Sequence, residues 1–135
     1  MLVARSIFLQ SFLLLLFALI VFVPAFAQGA KARCQLSAML MQQGGGQIDS
    51  ASQSVVIGQT AAFSLKDGAG GMQRVQVQPH QFGHGRVKAT IDWQDSRGRS
   101  VVSTQMGMAN GERIALAAEG VGKGPVVLNL RVLCR

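Results

Sequence analysis

The chain contains no tyrosine, and of its 135 residues only two are histidine, two cysteine and three proline. Acidic residues are scarce as well, six against thirteen lysines and arginines. Each scarcity removes a class of function. A hydrolytic triad needs a nucleophile, a base and an orienting group. His80 and His84 are the sole imidazoles, and the nucleophile-elbow pattern Gly-x-Ser-x-Gly does not occur. Two cysteines near opposite ends of the chain lack the Cys-x-x-Cys spacing that lowers a thiol pKa, and they are too few for a thiolate zinc site. Beyond residue 27 the aromatics are Phe63, Phe82 and Trp93 alone, so there is no basic strand studded with rings on which nucleobases could stack. These absences point to a protein without catalytic residues, cofactor or nucleic-acid partner.

One long hydrophobic run is present, and it sits at the start. Arg5 supplies a positive head, and Ile7 to Val23 is apolar apart from Gln10 and Ser11. Pro24 ends the run, and Ala25-Phe26-Ala27 places small residues where a signal peptidase reads. This is the three-part pattern of a secretory signal. It predicts a signal peptide over 1–27, a cut between Ala27 and Gln28, and one domain over 28–135 in the periplasm or outside the cell. The alternative is retention of the run as an anchor, since it is near the short limit for a bilayer span. No later stretch is long enough to cross a membrane, so no transmembrane segment is expected after cleavage.

Export gives the two cysteines a meaning. In an oxidising compartment an even count suggests a bridge, so Cys34 and Cys134 are expected to form a disulfide closing nearly the whole domain into one loop. Cleavage removes Arg5 alone among the charged residues and leaves a net charge of +6. Its basic residues are scattered, with Arg86-x-Lys88 and Arg97-x-Arg99 the close pairs. Such a surface favours solubility and anionic partners.

The rest of the sequence reads as strands. Val87, Ala89, Ile91 and Trp93 alternate with Arg86, Lys88, Thr90 and Asp92, which gives one dry and one wet face. Trp93 is the largest apolar group and is expected to pin the core. Arg99 to Met108 follows a turn at Asp95–Gly98, and Asn110-Gly111 is the strongest hairpin signal. Residues 86–118 therefore predict a three-stranded meander. Further strands are expected over Gln35–Gln42, Ser54–Ile57 paired with Gln59–Leu65, Gln73–Gln78 and Val126–Cys134, with Pro79 to Gly85 irregular. Seven or eight short strands with glycine-rich turns predict an all-β fold, a small antiparallel β-sandwich of immunoglobulin-like type. The Gln73–Gln78 and Cys34–Gln42 strands are taken as sheet edges, where unpaired backbone groups could receive a partner strand.

Two Met-x-Met pairs offer a different chemistry. Residues two apart in a strand share a face, and paired thioethers suit Cu(I), a soft ion. Met39 with Met41, and Met106 with Met108, are such pairs, and His80 and His84 could add nitrogen ligands. A periplasmic copper-binding protein is therefore the alternative function. The ordinary role of methionine as a filler of cores competes with it.

The segment from Gly85 through Arg86-Val87-Lys88-Ala89-Thr90-Ile91-Asp92-Trp93 to Ser103-Thr104-Gln105-Met106-Gly107-Met108-Ala109-Asn110-Gly111-Glu112-Arg113-Ile114-Ala115-Leu116 resembles part of the bacterial secretin family, the outer-membrane channels of secretion and pilus systems. The chain is much shorter than such a channel and lacks the doubled glycine that follows in the family. What the resemblance implies is a small accessory domain beside a secretion or pilus assembly; it assigns no site residue. Taken together, the residues lead to an exported, non-catalytic envelope protein that binds a protein partner.

Overall fold

The computed structural model describes residues 31–118 and 125–135. The expected signal, its cleavage point and the first residues of the expected domain lie outside this range. Lys31–Arg135 forms one compact unit. Eight strands build it: β1 (Arg33–Gln42), β2 (Gln47–Val56), β3 (Ala61–Lys66), β4 (Met72–Gly83), β5 (Arg86–Gln94), β6 (Ser100–Ala109), β7 (Arg113–Ala118) and β8 (Val126–Cys134). They form two antiparallel sheets, in the orders β2-β1-β8-β7 and β3-β4-β5-β6. The expected sandwich is thus present with eight strands. Its antiparallel pairing of first and last strands is not part of the immunoglobulin constant-type order.

Alternation places the core. In β1 Cys34, Leu36, Ala38 and Leu40 are buried; in β5 Val87, Ala89, Ile91 and Trp93; in β8 Leu128, Leu130, Val132 and Cys134. All join a single hydrophobic cluster with residues of the other strands. Trp93 is completely buried, as its size suggested, and its indole Nε1 donates to Gln73 Oε1 at 2.7 Å. Gln73 is itself fully buried, and its Nε2 has no hydrogen-bond partner among the described residues.

Cys34 pairs directly with Cys134 across β1 and β8, and the two are joined as a disulfide. The backbone continues the pairing one residue further, with Arg33 N donating to Arg135 O and Arg135 N to Arg33 O.

Five sequence expectations change. The segments around Gly58 are not a strand pair: β2 belongs to one sheet and β3 to the other. Asn110-Gly111 is likewise not a hairpin but the crossing from β6 back to the first sheet. Asn110 keeps a negative φ and uses its side chain instead, accepting from Cys134 N at 2.7 Å and donating to Cys134 O at 2.9 Å. The continuous meander is therefore β3 to β6, not residues 86–118. The stretch after Pro79 is not irregular either. It continues β4 to Gly83 through a bulge between Pro79 and Gln81, a position at which a sheet tolerates proline. The hairpin to β5 turns on His84 (φ 54°) and Gly85 (φ 73°), the pair of positive angles that a type I′ turn requires. Finally, β1 and β4 are interior strands, so neither expected edge is an edge. The true edges are β2 and β7 in one sheet, β3 and β6 in the other.

Candidate functional site

The two flanks of the sandwich, where the sheet edges meet, are built differently. Along one flank β2 runs beside β3. Register places Asp49, Ala51, Gln53 and Val55 of β2 on the face turned toward the other sheet, opposite Leu40, Ala38, Leu36 and Cys34. Two of these four are polar, which is why the sequence pattern hid the first half of the strand. Asp49 Oδ2 accepts from Lys66 N at 2.8 Å, and Gln53 Oε1 accepts from Ala62 N at 3.1 Å. Both donors are outward amides of the β3 edge. Side chains of one sheet thus occupy edge donors of the other, and an occupied donor has nothing to offer a foreign strand. The Lys66 amide, followed by that of Ser50, holds the Asp49 carboxyl below its ordinary range. A depressed value means the interaction is complete at neutral pH and is lost only as pH falls through the folded-state pKa.

The opposite flank has no such seal among the described residues. β6 pairs with β5 alone and β7 with β8 alone, and the two barely touch. Val102 and Met106 of β6 and Ile114 and Leu116 of β7 pack against the core but stay half-buried. Thr104 lies opposite Ile91, on the core-facing side of β6, and is nevertheless exposed. The result is a slot in outline only: half-covered apolar side chains between two edges that no described strand pairs.

A second feature lies at the pole that carries the disulfide. A cleft of about 610 Å³ there is lined by Ile57, Phe82 and Val87 on its apolar side and by His80, His84, Arg86 and Lys88 on its polar side. The β4 bulge sets its shape by displacing His80, which hydrogen-bonds to Thr90 Oγ1 on β5. Gly107, opposite Lys88 on β6, lies beside the Arg86 guanidinium, whose Nη2 would be in ordinary contact, at 3.8 Å, with a Cβ added at that glycine.

Asp92 Oδ1 accepts from the Ser100 hydroxyl at 3.2 Å; the other side-chain carboxylates of the described residues serve the backbone. Asp67 Oδ1 accepts from Ala69 N and Gly71 N, Asp95 Oδ1 from Arg97 N and Arg99 N, and Glu112 Oε2 from Ala109 N. The Arg99 amide is the main reason the Asp95 carboxyl lies below its ordinary range. Arg99 with Asp95, at 3.8 Å, is the one ion pair among the described residues. Among the described residues the acids are thus mostly bound to nearby backbone, and Arg99 alone of the basic side chains pairs with one.

The methionine pairs do not meet. Met39 and Met41 are half-buried on the outer face of their sheet, where the Asn129 amide donates to Met41 Sδ at 2.8 Å. Met106 and Met108 turn toward the core from the other sheet, with Met108 only 2% exposed. His80 and His84 share the cleft but belong to neither pair. Among the described residues no three His, Cys, Asp or Glu side chains converge on a metal-sized site, and no helix is long and apolar enough to cross a membrane.

No known protein family, curated protein or solved structure matches this chain.

Proposed function

We propose that the chain is exported to the cell envelope, periplasmic or secreted, and acts there as a non-catalytic binding domain whose β6/β7 flank receives an extended segment of a partner protein. The observation that carries this reading is the difference between the flanks. One edge pair is sealed by Asp49 and Gln53, and the other leaves Val102, Met106, Ile114 and Leu116 half-covered beside unpaired backbone. A strand added there gains main-chain hydrogen bonds from the edge and side-chain contacts from the slot, the combination on which strand addition depends. The export signal supplies the compartment, and the likeness of residues 85–119 to secretins supplies the setting, an accessory of a secretion or pilus assembly.

The test is a photo-crosslinking residue at position 104, compared with one at Ser64 on the sealed flank. In intact cells position 104 is expected to capture one defined envelope protein, and position 64 none. Thr104→Lys places a charge in the slot at a site already open to water, so the fold should persist while capture of the same partner, by a crosslinker at position 116, falls at least tenfold. Equal capture at positions 104 and 64, or capture unaffected by Thr104→Lys, would rule the reading out.

A further inference from the structure

Strand register divides the domain's charge between its two poles. At the disulfide pole lie Arg33 at the start of β1, Arg86 and Lys88 on β5, Arg113 on β7, and Arg131 and Arg135 at the end of β8. His80 and His84 join them in the cleft. The acidic side chain among the described residues there is Glu112, and it is bonded to Ala109 N. Asp49, Asp67, Asp92 and Asp95 all lie in the other half, beside Lys66, Arg74, Arg97 and Arg99. That half is balanced; the disulfide pole is strongly positive.

The same pole carries an exposed aromatic. Among the described residues two large hydrophobic side chains are exposed, Met72 and Phe82. They stand at opposite ends of β4, roughly 33 Å apart at the usual rise, so only Phe82 belongs to the basic pole. It sits one residue before the Gly83–Arg86 hairpin, which turns on His84-Gly85, with Gly85 O accepting from Asn110 N. Phe82 pairs with Val87 and so stands on the face of the sheet opposite to Arg86 and Lys88, yet ring, cations and imidazoles line one cleft, and an aromatic beside cations has the amphipathic character of an interfacial anchor. Ala32 also lies at this pole, where its O accepts from Ile57 N, and Ile57 lines the cleft.

We propose that the disulfide pole seats the domain on an anionic membrane surface. Phe82 enters the interface, and Arg86 and Lys88 meet the phosphates of the lipid head groups. Charge complementarity selects the surface and the ring supplies depth. This goes beyond the flank reading and uses none of its residues; Thr104 has no part in it, and either proposal can fail alone.

The test mixes the protein, as recovered after export, with vesicles of phosphatidylcholine alone or with phosphatidylglycerol, carrying brominated acyl chains. A cation near an anionic surface contributes about 1 kcal/mol. Arg86→Gln with Lys88→Gln should therefore weaken partitioning into the anionic vesicles roughly thirtyfold, and high salt should do the same. In the Phe82→Trp variant the new indole is expected to be quenched by bromine. In Ala69→Trp, at the opposite pole, it should not be, and buried Trp93 serves as an internal control in both. If the protein is held on vesicles by a retained leader, the contrast between positions 82 and 69 still reports which pole faces the lipid. Equal quenching at the two positions, equal association with neutral vesicles, or no association with anionic vesicles at low salt would overturn the proposal. So would binding to a soluble acidic polysaccharide as tight as to vesicles and unchanged by Phe82→Ser, which would assign the pole to a glycan.

Discussion

Replacing Cys34 and Cys134 together by alanine is expected to destabilise the domain by about 4–5 kcal/mol, with the urea midpoint falling by roughly 2–4 M. The loop closed by this bond spans 100 positions, and the entropy denied to the unfolded chain grows with loop length. Domains of this size are stable by only about 5–15 kcal/mol, so the loss is a large share of the total. The bond also lies where it adds most. Strands β1 and β8 are the two interior strands of their sheet, and each contributes an unbroken row of buried side chains. Without the bond, the first and last strands must find each other across the whole length of the domain. Both sulfurs are buried, Cys34 at 0% and Cys134 at 1% exposure, so reductant should act only through unfolding. Thiol labelling in native buffer with a mild reductant is expected to be slow, and to accelerate sharply near the urea midpoint.

The other large effect centres on Trp93. Trp93→Ala should cost about 3–5 kcal/mol, the usual range for deleting a fully buried ring of this size. The subtler result concerns Gln73. Its Oε1 is the partner of the indole N–H, and both groups are cut off from water. Trp93→Phe keeps most of the ring but strands the Gln73 amide, and Gln73→Leu strands the indole. Either change should cost about 1–3 kcal/mol for the unpaired polar group, Trp93→Phe somewhat more because it also leaves space. The double variant removes both partners together, so it should be less damaging than the two singles added, by about 1–2 kcal/mol. Urea titrations of the four proteins, followed by circular dichroism because the variants alter the only tryptophan, would measure this coupling. Strict additivity would show that the pair contributes nothing as a pair.

The strands were easiest to read where alternation was unbroken. Val87 to Trp93 and Val126 to Cys134 announce both their state and their inner face, because period-2 burial leaves a direct trace in residue type. The disulfide was legible from the cysteine count together with the expectation of export. Sheet membership left no such trace. A hairpin and a crossing between sheets use the same turn residues, and Asn110-Gly111 misleads for that reason: the asparagine is there to hydrogen-bond the Cys134 backbone, not to turn a hairpin. Pro79 reads as the end of a strand but occupies a bulge within one. His84 is not a residue that signals a type I′ turn, so the β4–β5 tip and its cleft went unseen.

The flanks were the least legible part. Asp49 and Gln53 look like solvent-facing residues in sequence, whereas they close one side of the sandwich. Their role depends on β3 lying beside β2, a long-range fact that local pattern does not contain. The candidate edges inferred from sequence were displaced for a related reason. β1 becomes interior when β8 returns to its free side, and β4 when the meander wraps it between β3 and β5.

Residue-resolved amide hydrogen exchange of the folded protein would decide most directly whether one flank is closed and the other open. Edge-strand amides exchange quickly unless something holds them. The amides of Ala62 and Lys66, although on an edge strand, should be protected at least tenfold more than outward amides of β6. Asp49→Ala with Gln53→Ala removes both acceptors and should erase that difference without disturbing β1, β5 or β8. Equal, rapid exchange along β3 and β6 in the native protein would mean that both flanks are open, and nothing would then single out the β6/β7 slot as the place where a partner docks.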